Sequence, residues 1–250
     1  MMGRLAAADR EDRLLLIGLP ILIGVVLIGW IIWRAVADLD DIEARLLTPA
    51  SVLELTWQHL VIVAVCTVIV VGTAVPMGIL LTRGPTMKLS PPIMGLANAG
   101  QAAPVIGVIV LLALLLGFGF WVAVLSLTIY AFLPVLANTI TGLKGVDRSL
   151  VEAARGMGMS DMQVLFRIEL PMAVPVILTG VRTALVLLAG AGAFAAFIDA
   201  GGLGELIQTG IVMFRYSVLV SGAILVALLA LAVEWVGRLV EVYTKPKGLS

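Results

Sequence analysis

Long apolar runs dominate the chain, and the charged positions are gathered between them. Leu14 to Trp33 and Leu60 to Thr82 carry no charged side chain, and neither does the much longer run from Leu89 to Leu143. Pro171 to Ile198 holds only Arg182, and Tyr216 to Val233 holds none. A bilayer core of roughly 30 Å is crossed by about 20 apolar helical residues. The run from 89 to 143 is therefore long enough for two crossings, with Gly117-Phe118-Gly119 as the tight turn between them. The pattern predicts six membrane helices in one domain.

One segment interrupts the oil. Residues 149–171, SLVEAARGMGMSDMQVLFRIELP, bring Glu152, Arg155, Asp161, Gln163, Arg167 and Glu169 into the second half of the chain. Ser149 with Glu152, and Ser160 with Gln163, have the three-residue spacing of a capping box. They predict short helices over 150–157 and 161–169, with Gly158 as a left-handed break and Pro171 as the stop of the second. Leu150, Ala153, Ala154 and Met157 recur at helical spacing as one apolar stripe, with Glu152 and Arg155 away from it. Such a helix either lies in the lipid interface, connects two spans, or docks into a protein groove. Alanine at two of the four stripe positions suits close docking.

Composition and charge sharpen this picture. Charged residues make up 13% of the chain, about half the usual share of a soluble domain. The net charge is zero, but its distribution is not even. Segments 1–13, 83–88, 144–170 and 238–250 hold twelve of the 16 Lys and Arg, against Arg34, Arg45 and Arg215 on the other side and Arg182 inside a span. Cytoplasmic loops carry the excess of Lys and Arg, so both termini and the 144–171 insert are expected in the cytoplasm. The opposite loop, 34–56, is acidic. The first apolar run exceeds a signal-peptide core and is read as a retained anchor.

Candidate chemistry is sparse. Asn98 and Gln101 precede Pro104 within a span and either bridge helices or line a pathway, because an amide in lipid needs a partner. Arg182 is expected to snorkel toward the cytoplasmic side, Glu234 and Arg238 to pair at i, i+4, and dense Gly and Ala to serve helix packing. His59, the only histidine, is expected at the membrane interface beside Trp57, and Trp30, Trp33 and Trp121 in the same kind of aromatic belt. Cys66 is alone, so neither a disulfide nor a metal site is expected. No Gly-x-Ser-x-Gly, His-Glu-x-x-His or Gly-x-x-x-x-Gly-Lys pattern occurs. The chain is not expected to be an enzyme or to hydrolyse ATP, and no nucleic-acid partner is expected.

Glu152-Ala153-Ala154, then Gly158, then Ile168-x-Leu170-Pro171 resembles the Glu-Ala-Ala loop of binding-protein-dependent ABC importer permeases. The resemblance extends over residues 141–184, over AAFIDAGGLGELIQTGI at 195–211, and to the closing TKPKGL, where it is similar to the osmoprotectant branch. It implies an all-α type I importer permease fold, methionine-permease-like, with a cytoplasmic coupling helix. It implies coupling contacts at Glu152, Ala153, Ala154, Arg155, Gly158, Ile168, Leu170 and Pro171. The expected layout is a cytoplasmic N-terminus (1–13), an anchor helix (14–33), an extracytoplasmic loop (34–56), a permease domain (57–243, coupling loop 144–171) and a cytoplasmic tail (244–250). Implied partners are cytoplasmic ATP-binding subunits carrying ATP and Mg, a second permease subunit, identical or homologous, and an extracytoplasmic solute-binding protein or lipoprotein, in a bacterial plasma membrane. No cofactor is expected on this chain. The substrate implied is glycine betaine, choline, carnitine or proline betaine. A permease for methionine or another small amino acid, and a channel or membrane scaffold, are the alternatives. Asp199 replaces the small residue usual before Ala-Gly-Gly-Leu-Gly. It either lines the entrance, contacts the binding protein, or is a solvated loop residue. With Asn98, Gln101 and Pro104 it completes the candidate pathway set.

Overall fold

The computed structural model describes residues 10–244, with side chains from 15 to 242. Residues 1–9 of the expected N-terminal segment (1–13) and 245–250 of the expected tail (244–250), with most of the TKPKGL match, lie outside the described residues. Helix α1 spans Arg10–Val36, α2 Asp41–Leu46 and α3 Pro49–Leu80. A 3-10 turn over Gly84–Leu89 leads to α4 (Ser90–Ala102) and α5 (Val105–Leu116), followed by α6 (Phe120–Lys144). The insert forms α7 (Arg148–Gly156) and α8 (Asp161–Val164), and a π-turn over Leu165–Glu169 runs into α9 (Leu170–Ala191). A 3-10 segment (Gly192–Ile198), α10 (Gly204–Val212) and α11 (Tyr216–Thr244) complete the chain.

Among the described residues, five helices are long and apolar enough to cross a membrane. The sixth crossing is not one straight helix. Ala103 is extended and Pro104 has no N–H to continue the helix, so α4 and α5 meet at a bend of 97°. Two contacts show that the bent pair still passes from one end of the bundle to the other. Arg83, just before it, pairs with Glu169 in the insert, and Gly119, just after it, donates to Ile198 O at the far end of α9's span at 2.7 Å. Gly117 and Gly119 have φ of 98° and 113°, so the turn expected there exists and needs glycine.

The core is built on α6, packed between α3 and α9, with Cys66, Val70, Ile109, Leu127, Leu136 and Leu188 fully enclosed. Small residues permit this closeness. A methyl on Gly180 would come within 2.6 Å of Pro134 O, and one on Gly78 within 2.6 Å of Thr139 Cγ2. Gly107, by contrast, packs against nothing but its own helix cap. Helix α1 lies antiparallel along α11 and is tied to it twice: Trp30 Nε1 donates to Ser221 Oγ, and Trp235 Nε1 donates to Leu16 O, each at 3.0 Å.

Several expectations need correction. Span two begins at Pro49 under a Thr48 cap, so the loop at that end is 37–48 and contains α2, rather than running to 56. His59 is fully buried, not interfacial. The fold of 192–204 over it covers the ring, and Nε2 lies 2.9 Å from Ala189 O. Trp30 is buried by its bond to Ser221, whereas Trp33, Trp57 and Trp121 are exposed as expected. Arg182 reaches toward the cytoplasmic end as expected, but its head group is held by carboxylates rather than left in solvent. It pairs with Glu241 at 2.9 Å and lies 3.8 Å from Glu234, because glycine at 237 leaves room for its stem. Glu234 and Arg238 do pair, at 3.1 Å.

Candidate coupling surface

The insert closes the end of the bundle where α6 finishes at Lys144. Helix α7 starts two residues earlier than its Ser149–Glu152 spacing suggests. Asp147, not Ser149, is the cap, and its carboxylate accepts from Ser149 N at 2.9 Å. Asp two residues before Ser is itself an Asx-type signal, and it satisfies the exposed N–H groups first. The backbone hydrogen bond from Ser149 holds the Asp147 carboxyl below the ordinary aspartate range. A depressed folded-state pKa means the contribution is complete above the ordinary range and is lost as the pH falls through the lower folded value. Asp147→Ala is expected to speed amide exchange over residues 148–151 at neutral pH. In wild type the same change should appear only in acid. Unchanged protection in the variant would contradict the cap.

The C-terminus of α7 closes as the glycine foresees. Met159 N bonds Ala154 O at 3.2 Å, Gly158 N bonds Arg155 O at 2.9 Å, and Gly158 has φ +84°. The apolar stripe is split by packing. Ala154 is buried and seats α7 on the body, while Leu150, Ala153 and Met157 face outward, Met157 at 76% exposure. Glu152 and Arg155 are also exposed.

The second capping box is present: Gln163 N bonds Ser160 Oγ, and Ser160 N bonds Gln163 Oε1 at 2.8 Å. Pro171, however, does not stop the helix. The backbone widens into a π-turn at 165–169, in which Leu170 N reaches Leu165 O, and the helix continues through Pro171. A π-bulge absorbs a residue that cannot donate and would clash in a regular turn. The insert is thus rigidly continuous with span five. Leu170 packs on Leu143, Leu165, Ala173 and Ile177. Ile168 is half-buried and Pro171 exposed.

Two ion pairs brace the surface. Glu169, buried, is met by Arg83 from the preceding loop on the same side, while Arg155 pairs with Asp161 at 3.0 Å in the open. Breaking a buried pair from one side costs far more than breaking an exposed one. The Arg83–Glu169 tie, for which no local pattern exists across 86 positions, is the one that fixes the insert. Beneath α7 lies a polar cavity of about 300 Å³ lined by Arg83, Lys144, Arg148, Glu152, Arg155 and Glu169 among others. Beside it, Met162 and Phe166 extend the exposed apolar surface, at 62% and 59% exposure. Their i, i+4 spacing is visible in the sequence, but nothing there says which face is outward.

The candidate pathway residues are not brought together with the insert or gathered into one site. Asn98 is exposed, and its amide donates to Met94 O in its own helix at 2.8 Å, with no bridge to another helix among the described residues. Gln101 is half-buried and Pro104 sits at the 97° bend. Asp199 lies at the other end of the bundle, exposed, with φ 58°. Aspartate tolerates the left-handed region better than most residues, which accounts for it at that cap. Burial, and then the charge of Asp199, raise the Glu205 carboxyl above its ordinary range.

Residues 74–242 match the family described as binding-protein-dependent transport system inner membrane component. The carnitine transport permease protein OpuCB of Listeria monocytogenes is 38% identical over 194 residues, 78% of this chain and 88% of that one. The osmoprotectant import permease protein OsmW of Salmonella typhimurium is 38% identical over 216 residues, 84% of this chain and all of that one. In fold, the chain is similar to an inward-facing structure of the MetNI methionine ABC transporter, with a TM-score of 0.69 at 22% identity over 78% of this chain and 96% of that one.

Proposed function

The chain belongs to the family of binding-protein-dependent transport system inner membrane components, and from that premise we propose that it carries osmoprotectants such as glycine betaine, choline, carnitine or proline betaine into the cell. The substrate class is supported by the relatives' names, carnitine and osmoprotectant permeases at 38% identity. The single observation that carries the mechanism is the outward-facing surface of α7 on a rigidly braced insert. Leu150, Ala153 and Met157 offer an apolar contact, Glu152 and Arg155 flank it with charge, and Ala154 with the Arg83–Glu169 pair ties it to the spans. Exposed apolar patches of this kind mark protein contacts.

In this reading an ATP-binding subunit, which holds ATP and Mg, receives α7 in a groove. This chain supplies no cofactor and no catalytic group. The coupling contacts are Glu152, Ala153, Arg155 and Gly158, while Ala154, Ile168, Leu170 and Pro171 keep α7 in register with span five. Because the helix runs unbroken from Asp161 to Ala191, movement of α7 is passed to the core as a rigid-body tilt, the form alternating access takes. A second permease copy or homologue forms the other wall, with Asn98, Gln101 and Pro104 on its pathway side and Asp199 at the opposite mouth, beneath a solute-binding protein. The charge asymmetry of the loops supports a cytoplasmic position for both termini and the insert in a bacterium, with the permease domain, expected over 57–243, beginning at the Pro49 start of its first helix. With 6% aromatic content, no aromatic cage for a quaternary ammonium is assigned among the described residues, and selection is taken to rest on the binding protein.

Uptake of labelled glycine betaine in cells carrying the full set of subunits tests this. Choline, carnitine or proline betaine should compete and methionine should not. Competition by methionine alone would reassign the substrate.

A further inference from the structure

Helices α1, α3 and α11 do not close against one another along their whole length. Between them runs an apolar groove of about 490 Å³, from Ile23 and Ala232 to Arg34 and Pro49. Along α1, Ile23 to Arg34 corresponds to about 16 Å at 1.5 Å per residue. The groove therefore reaches from mid-span to the end of the apolar run, where Trp33 and Arg34 mark the headgroup level. Its walls are Leu27, Val52, Leu53, Leu225 and Leu228, and Arg34 stands at its rim.

Of the three cations at this end, Arg34, Arg45 and Arg215, only Arg34 lines the groove. Arg215 is engaged by Asp40. Arg34 gives only its Nε, to Leu47 O, and its terminal nitrogens have no partner among the described residues. The carbonyl bond fixes the guanidinium over the groove with its fork free, the geometry that suits a phosphate. The loop leaving Arg34 then exposes Asp38 and Asp41.

We propose that this groove holds one phosphoglyceride with a zwitterionic head: an acyl chain between α1, α3 and α11, the phosphodiester on Arg34, and the ammonium toward Asp38 and Asp41. Charge complementarity selects this occupant. A chain alone would need no cation at the rim, and an anionic head would meet the two carboxylates. The lipid completes the packing of α1, which otherwise rests on α11 through Trp30 and Trp235.

Native mass spectrometry of the full-length chain, purified from membranes and titrated with lipids of equal acyl length, tests the proposal. Phosphatidylethanolamine should bind in one copy, more tightly than phosphatidylglycerol, and diacylglycerol should not be retained. Arg34→Gln should weaken phosphatidylethanolamine binding about tenfold, the scale of one charge-assisted contact. Leu53→Trp, at a residue 71% exposed and so compatible with folding, should block the groove and abolish binding. Equal binding of the three lipids, or undiminished phosphatidylethanolamine binding by both variants, would overturn it. So would absence of bound lipid with α3 cross-linking to a neighbouring subunit through Leu53→Cys, which would assign the groove to a protein helix.

Discussion

Gly158→Val is expected to abolish ATP-driven uptake while leaving the chain in the membrane. Gly158 has φ +84° with nothing within 4 Å of where a side chain would begin. The effect is therefore conformational rather than steric crowding by neighbours. An L-residue in the left-handed region costs roughly 1–2 kcal/mol, and a β-branched one is least suited to it. The chain escapes by unwinding the last turn of α7, where Met159 N and Gly158 N hold Ala154 O and Arg155 O. Met157 and Arg155 then leave the surface proposed to meet the ATP-binding subunit. Glu152→Arg probes the same contact by charge, since Glu152 is exposed and its replacement leaves the core untouched. Initial rates should fall to background in Gly158→Val and about tenfold or more in Glu152→Arg, the latter matching 1.4 kcal/mol or more of lost coupling, with membrane content equal to wild type. Unchanged rates in both would remove α7 from the coupling path.

The largest stability effect is expected at the opposite end, at Gly204. A methyl there would lie 1.8 Å from Ala193 O and 2.7 Å from Ala193 C. Both partners are backbone, so no rotamer change relieves the clash. The 3-10 segment 192–198 and α10 would have to part, uncovering His59, which Gly192 and Gly202 now enclose. Gly204→Ala should cost about 3 kcal/mol or more, the upper range for overpacking. Gly190→Ala is the matched control. It is helical, exposed and open, with nothing within 4 Å, and should be neutral or slightly stabilising. Thermal unfolding in detergent reads the difference, and equal melting of the two variants would contradict the packing described.

The spans, the Gly117–Gly119 turn, the Gly158 break and the Ser160 cap were legible because each rests on a local property: apolar length, a positive φ or a three-residue spacing. Features that depend on what comes to lie alongside were not. Asp147 displaced Ser149 as cap because the first carboxylate to reach the free N–H groups ends the competition, and two such candidates look alike in a string. Pro171 reads as a stop until the π-turn before it is seen. His59 and Arg182 were assigned by their depth in a span, whereas their surroundings are set by Gly192 and Gly237 on distant segments. The two short helices of the insert were readable from its local spacing. Which of their residues face outward was not, since Ala153 and Ala154 differ only in what packs beneath.

The central claim is that this chain moves solute only when α7 is driven by an ATP-consuming partner. Its most direct test is accumulation of labelled glycine betaine in proteoliposomes holding the full complex and the binding protein. Accumulation against a gradient that requires ATP, and that Gly158→Val eliminates, is the predicted result. Equilibration down the gradient without ATP, at the same rate in wild type and variant, would contradict it and describe a channel.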